Sequence, residues 1–260
     1  MGDVSEPTSG VAVFVDGENG EGSLPVNEAV VYVGPARPEN SFKNLWVPFA
    51  STSFAFRRQH SPGGLLPRGR PQPAAKTRSV AYLAANCAAH REAAFRAFRA
   101  VGAEALGRCD GARAGSTAKE DEKPASRLTQ HYMDEAVAVF EPFKFVMSFE
   151  NANVSGYVTE KIVNAYLARA VPIYWGSPDV FKIFNAASFL YVPDFASMEE
   201  VAQRVETMSH AEWEAMQQAP PLADGAEHFF SWHRDVTGGL RREIVDAAVA
   251  SFRKFKDDNV

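Results

Sequence analysis

Apolar positions along the chain follow two periods in turn, and their alternation predicts an α/β protein. Short apolar runs of strand length fall at residues 11–15, 30–33, 79–85, 145–149, 171–175 and 188–192. Between and after them the apolar residues recur three and four apart, the spacing that buries one face of a helix. Ala94, Phe95, Phe98 and Val101 mark a helix over 90–101, and Val158, Ile162, Val163, Tyr166, Leu167 and Ala170 mark another. Further helices are expected over 131–140, 197–208 with a Ser197/Glu200 capping box, 211–218, and 240–255 with Ile244, Val245, Ala248, Phe252 and Phe255 buried. Residues 42–56 are apolar and aromatic, with Trp46 and Phe49 expected in the core. The stretch 143–179 reads strand, loop, helix, strand, a βαβ unit whose strands should be parallel. From residue 79 to 208 this alternation predicts a mostly parallel sheet covered on both faces.

Two helix starts carry the wrong charge. Thr159, Glu160 and Lys161 stand in about the first turn of their helix, where the dipole favours Glu160 and opposes Lys161. Arg91 opens the helix over 90–101 in the same way. A bound anion would reverse the sign at both, and a phosphate at the carboxyl end of a strand is the usual ligand arrangement of an open α/β sheet. A solvated lysine with its charge in water is the plainer reading of Lys161.

The string FEN-x6-VTEK, from Phe149 to Lys161, followed by AVPIYWGSPD, resembles the donor-binding signature of the α1,3/4-fucosyltransferase family, most closely its bacterial members. Phe149, Glu150, Asn151, Tyr157, Val158, Thr159, Glu160 and Lys161 stand at the family's relative positions. The likeness continues through residues 188–195 to the last helix, and more weakly back to about Val11. The resemblance implies an α/β fold of the GT-B type, two Rossmann-like domains with the N-terminal one incomplete. It also implies donor binding in the C-terminal domain, with L-fucose moving from GDP-β-L-fucose to a sugar hydroxyl with inversion.

The same resemblance assigns roles. Arg91 and Lys161 would neutralise the GDP leaving group, with amides around Thr159 assisting. Asn86, Asn151, Tyr157 and Glu160 would surround the nucleotide and sugar. Glu18, in the run VFVDGEN, matches the family's general base, whereas by itself it is a solvated turn residue. Glu150 could instead stabilise the cationic sugar centre, leaving the labour between the two glutamates undivided. The acceptor implied is an N-acetylglucosamine-type sugar of an oligosaccharide or glycoprotein glycan, in α1,3-linkage. No cofactor or metal requirement is expected, and no Asp-x-Asp motif of metal-dependent glycosyltransferases occurs.

Composition narrows the classes. At 260 residues and 46% hydrophobic content the chain can bury a core, and a net charge of −5 gives no argument for nucleic acid or an anionic membrane as partner. No run approaches the roughly 18–20 apolar residues of a membrane span, so no anchor is expected. The resemblance leaves the compartment open: the Golgi membrane system for a eukaryotic protein, the cytoplasm or inner-membrane periphery for a bacterial one. Cys87 and Cys109 allow one bridge, and Cys87-x2-His90 has a metal-like spacing, although a buried thiol is the simpler account.

The expected division is 1–77, an acceptor-side remnant ending in a Pro/Gly/Arg-rich linker from residue 60; 78–238, the donor domain; and 239–260, a helix packing back. Residues 110–127 are expected to form a surface loop. The Gly-Glu-Asn motif falls within the first twenty residues, so most of an acceptor half is expected to be missing. A nucleotide-sugar-binding remnant with little transferase activity is therefore the competing reading. A lectin-like module ranks below both, since it leaves the helix-opening cations unexplained.

Overall fold

The computed structural model describes residues 12–15, 30–34, 43–46, 48–51, 75–112, 132–230, 246, 249 and 250. Two parallel sheets result. The first runs in chain order, β1 (Ala12–Val15), β2 (Val30–Gly34) and β3 (Lys43–Trp46), with Ala12 opposite Val30 and Gly34 opposite Trp46. The second is built from β4 (Arg78–Tyr82), α1 (Ala89–Phe98), β5 (Ala103–Ala105), α2 (Tyr132–Phe140), β6 (Phe143–Phe149), α3 (Glu160–Leu167), β7 (Val171–Trp175), β8 (Leu190–Tyr191), α4 (Met198–Thr207) and α5 (His210–Gln218). Its strand order is β5-β4-β6-β7-β8, all parallel.

That order puts a reversal between β4 and β6, because the chain leaves β4 to one side for β5 and returns to the other for β6. Crevices at such points, beyond the carboxyl ends of the strands, are where open α/β sheets bind ligands.

Alternation along the strands divides the core. Val80, Tyr82, Phe145, Met147 and Ile173 face one way, where Phe95 and Phe98 of α1 and Val201 and Val205 of α4 cover them. Ala81 and Val146 face the other way, under Ala136 and Phe140 of α2 and Ala165 of α3. Ile162, Val163 and Tyr166 of α3 extend that second layer over Tyr174, Ile183 and Phe184 to Trp46 and Phe229. Each fully buried side chain of this size stabilises the fold by about 1.5–3 kcal/mol relative to exposure.

Several boundaries differ from expectation. The central helix starts only at Glu160, after Thr159 as N-cap, and ends at Leu167, so Val158 and Ala170 are buried beside it rather than within it. Arg169 turns the chain into β7 at a φ of 54°. The helix expected over 90–101 closes with a 3-10 turn, Arg99–Val101, and Gly102 at a φ of 81°. The expected strand over 79–85 stops at Tyr82, and the short β5 follows the helix at Ala103–Ala105. Phe49 is half-buried.

At α4, Ser197 accepts from the Glu200 amide, but Glu200 accepts from Ala196, so the box is open; the complete box is formed by Ser209 and Glu212 at α5. The two cysteines form a disulfide, Cys87–Cys109, which replaces the buried thiol expected at Cys87. Among the described residues no helix is long and apolar enough to cross a membrane. Most of the expected linker, residues 113–127 of the expected loop and most of the C-terminal helix lie outside the described residues; residues 246, 249 and 250 are helical.

Candidate functional site

β6 is buried along nearly its whole length and delivers Glu150 to the carboxyl edge of the sheet with its side chain wholly enclosed. Its amide donates to Trp175 O at 2.9 Å, joining it to the end of β7. The carboxylate turns to the start of α3. Glu150 Oε1 accepts the Thr159 amide at 2.8 Å; Oε2 accepts the Thr159 hydroxyl at 2.7 Å and Lys161 Nζ at 3.2 Å. Lys161 Nζ also donates to Thr159 Oγ1 at 3.0 Å and stands 3.7 Å from Glu160 Oε1.

Of the amides at the helix start, that of Thr159 is thereby taken up within the protein. Thr159 makes no cap with its own side chain; Glu150 instead accepts the amide and hydroxyl of this N-cap residue, and the anion opposite Lys161 is a protein carboxylate. Complete burial pushes the Glu150 carboxyl up from its ordinary value, against the opposing pull of Lys161 and the Thr159 hydrogen bonds. Burial works against the Lys161 ammonium too, but Glu150 and Glu160 outweigh it and hold its pKa above the usual lysine value. Lys161 is thus a fixed cation with a quarter of its side chain open to solvent.

Arg91 reaches the same edge from α1. It is 3% exposed; Nη1 donates to Asn86 O at 3.3 Å, Nη2 donates to Phe149 O, and Nε has no hydrogen-bond partner among the described residues. Burial lowers its pKa, while Glu150, Tyr82, Tyr157 and Glu160 favour its charge. Arg91 and Lys161 are therefore anchored on consecutive residues, Phe149 and Glu150, by helices from opposite faces of the sheet.

Of the other expected residues, Asn86 and Asn151 are exposed, Glu160 is half-buried and Tyr157 is buried. Glu18 lies outside the described residues. His90 was weighed in the sequence only as a metal-like partner of Cys87, yet it belongs here. Its ring packs against Trp175 at a tilt of 32° with centroids 4.2 Å apart, and Nε2 lies 3.1 Å from Glu150 O. Burial lowers its pKa, so the neutral ring donates to that carbonyl. The one available signal was its place beside Arg91 at the start of a helix.

Gly176 lies just past β7. A Cβ there would stand 2.6 Å from Tyr174 Oη and 2.7 Å from Glu150 Cγ, so only glycine fits. Cys87, Glu92 and Cys109 bring three ligand-type atoms within 4.8 Å. Their sulfurs are joined in the disulfide, however, and the Glu92 carboxylate accepts from Tyr82 Oη and the Gly111 amide, both at 2.8 Å.

Comparisons with known proteins converge on one family. The model of glycosyltransferase family 10 (fucosyltransferase) C-term matches residues 73–238. The chain is 40% identical over 92 residues to the α-(1,3)-fucosyltransferase FucT of Helicobacter pylori, covering 34% of this chain and 19% of that protein. It is 33% identical over 101 residues to 4-galactosyl-N-acetylglucosaminide 3-alpha-L-fucosyltransferase 9 of Mus musculus, covering 38% of this chain and 25% of that protein. The match thus spans a fifth to a quarter of these relatives. A crystal structure of an α1,3-fucosyltransferase with GDP-fucose superposes with a TM-score of 0.65 at 21% identity, over 95% of this chain and 76% of that one. The likeness carries the α/β, GT-B-type fold.

Proposed function

Because the chain belongs to glycosyltransferase family 10, the fucosyltransferases, we propose that it moves L-fucose from GDP-β-L-fucose to a hydroxyl of an N-acetylglucosamine-type sugar in an oligosaccharide or glycoprotein glycan, in α1,3-linkage with inversion. The observation that carries this reading is the anchoring of Arg91 and Lys161 on Phe149 and Glu150 at the reversal of the sheet. A diphosphate placed there meets two cations whose positions are set before it arrives. Preorganised charge of this kind stabilises a leaving group most effectively, because nothing has to reorient as the bond to the sugar breaks. In this proposal the two cations take the part a metal ion plays in other glycosyltransferases.

Glu150 acts through Lys161 and Thr159 rather than on the sugar, since its carboxylate is enclosed and already accepts three donors. The exposed Asn151, the half-buried Glu160 and Tyr157 line the approach, with Glu160, acceptor-only when ionised, suited to ribose hydroxyls. Glu18 takes the proton of the attacking hydroxyl, a role that rests on the resemblance of its motif. Residues 78–238 form the donor domain.

Calorimetric titration of GDP into the wild type and Lys161→Ala tests the site. Binding that weakens about tenfold or more, a loss of at least about 1.4 kcal/mol, supports it; absence of binding by the folded wild type overturns it. GDP release from GDP-fucose on addition of N-acetyllactosamine, abolished in Glu18→Gln while GDP binding persists, supports transfer. GDP binding with no acceptor-dependent release in the wild type supports the binding remnant instead.

A further inference from the structure

Four residues close a ring of contacts around the loop between β6 and α3. Trp46, the last residue of β3, donates Nε1–H to Gly156 O at 2.9 Å. The Gly156 amide donates to Asp179 Oδ2 at 2.7 Å. Lys182 Nζ donates to Asp179 Oδ1 at 2.5 Å and stands 5.9 Å from the Trp46 ring centroid, completing the circuit. Gly156 adopts a φ of 81°, which favours glycine, and its two backbone groups are taken up by two distant parts of the chain.

The neighbours reinforce the grip. Ser155 Oγ and Ser177 Oγ donate to Asp179 Oδ2 at 2.9 and 3.1 Å, and the Ala50 amide donates to Val158 O at 2.9 Å. Burial alone would raise the Asp179 carboxyl, but Lys182, Ser155, Gly156 and Ser177 outweigh it and bring its pKa down to about 2. The hub therefore carries its charge at neutral pH. Trp46 is fixed at its edge as well, against Phe229 with centroids 5.4 Å apart.

The loop held this way carries Asn151 and Tyr157 and ends on Thr159, the residue through which Glu150 and Lys161 meet. We propose that Trp46 and Asp179 are positioning residues for the nucleotide-sugar site, fixing the turn at Gly156 so that the segment leaving the first sheet sets the affinity for the donor. The proposal rests on the donor-site reading above. Its physical basis is preorganisation: a loop ordered before binding loses little conformational freedom when the nucleotide arrives, whereas a loosened one must be ordered at that moment. Such a loss affects ground state and transition state alike, so KM should change and kcat should not.

The test uses the full chain with Trp46→Phe, which keeps the ring against Phe229 and under Lys182 but removes the donor to Gly156. Asp179→Asn is the second variant, which keeps the size but not the charge. Amide exchange, GDP titration and N-acetyllactosamine-dependent turnover of GDP-fucose are measured on each. The proposal expects faster exchange at residues 155–158 with β6 and β7 unchanged. It also expects about a five- to twentyfold weaker Kd for GDP, the same rise in KM for GDP-fucose, and kcat within about twofold. Wild-type exchange and affinity in both folded variants would overturn it. So would faster exchange with unchanged GDP affinity, which would leave the ring a purely structural one. A folded wild type that binds no GDP overturns the donor reading itself before any variant is compared, so the two failures are distinct.

Discussion

Lys161 Nζ lies 3.2 Å from Glu150 Oε2, an oxygen that also accepts the hydroxyl hydrogen of Thr159. The cation that opens α3 is thus answered from within the protein, and a quarter of its side chain remains open to solvent.

Glu150→Gln should destabilise the fold by about 2–3 kcal/mol. An amide offers one acceptor oxygen where the carboxylate offers two, so its NH2 must face at least one of the donors on Thr159 and Lys161. Urea unfolding of the two proteins at pH 7 measures the difference; equal midpoints and slopes would remove the role assigned to Glu150 at this helix start.

Asp179 gives stability an acid dependence. Its folded pKa of about 2 is depressed below the ordinary 3.8, so its contribution is fully present above the unfolded value and is lost as pH falls through 3.8 towards 2. The loss should be about 1–2 kcal/mol, and Asp179→Asn should abolish it. Glu212, held low by Ser209 and Arg204, acts in the same direction over a window that opens higher, at 4.5, and closes at about 2. Thermal unfolding of wild type and variant between pH 5 and 2 checks this; parallel curves would contradict it.

Gly176→Ala should cost about 2 kcal/mol or more, because the new methyl meets the Tyr174 ring and Glu150 Cγ, both buried in packed surroundings. Gly225, with nothing within 4 Å of an added Cβ but a φ of 77°, is a control for backbone strain alone. Denaturation midpoints of the two alanine variants separate steric overlap from strain.

Reduction of Cys87–Cys109, or its replacement by two serines, should lower stability by about 3 kcal/mol, the value expected for a bridge spanning 22 residues. Urea unfolding with and without reductant gives the number. No change would mean that the packing of α1 against β4 holds this segment without the bridge.

The βαβ unit at the centre was legible residue by residue. β7 occupies the expected 171–175, and β6 adds two residues to the front of its expected run, because β-branched and aromatic residues bounded by turns read the same locally as they do in the fold. The cations at two helix starts were legible as well, since a charge opposed to a helix dipole is a local contradiction that any reader of the chain can find. What answers that contradiction was not legible. Glu150 lies 11 residues from Lys161 and was read as a separate candidate. Phe149 O, the acceptor for Arg91, is 58 residues away, and Gly156, the acceptor for Trp46, is 110 away. Local pattern, then, determined the elements, their parallel pairing and which side chains bear charge. The choice of partners was left to tertiary structure, because a hydrogen bond or an ion pair depends on a few ångströms between groups that only sheet order and helix packing bring together.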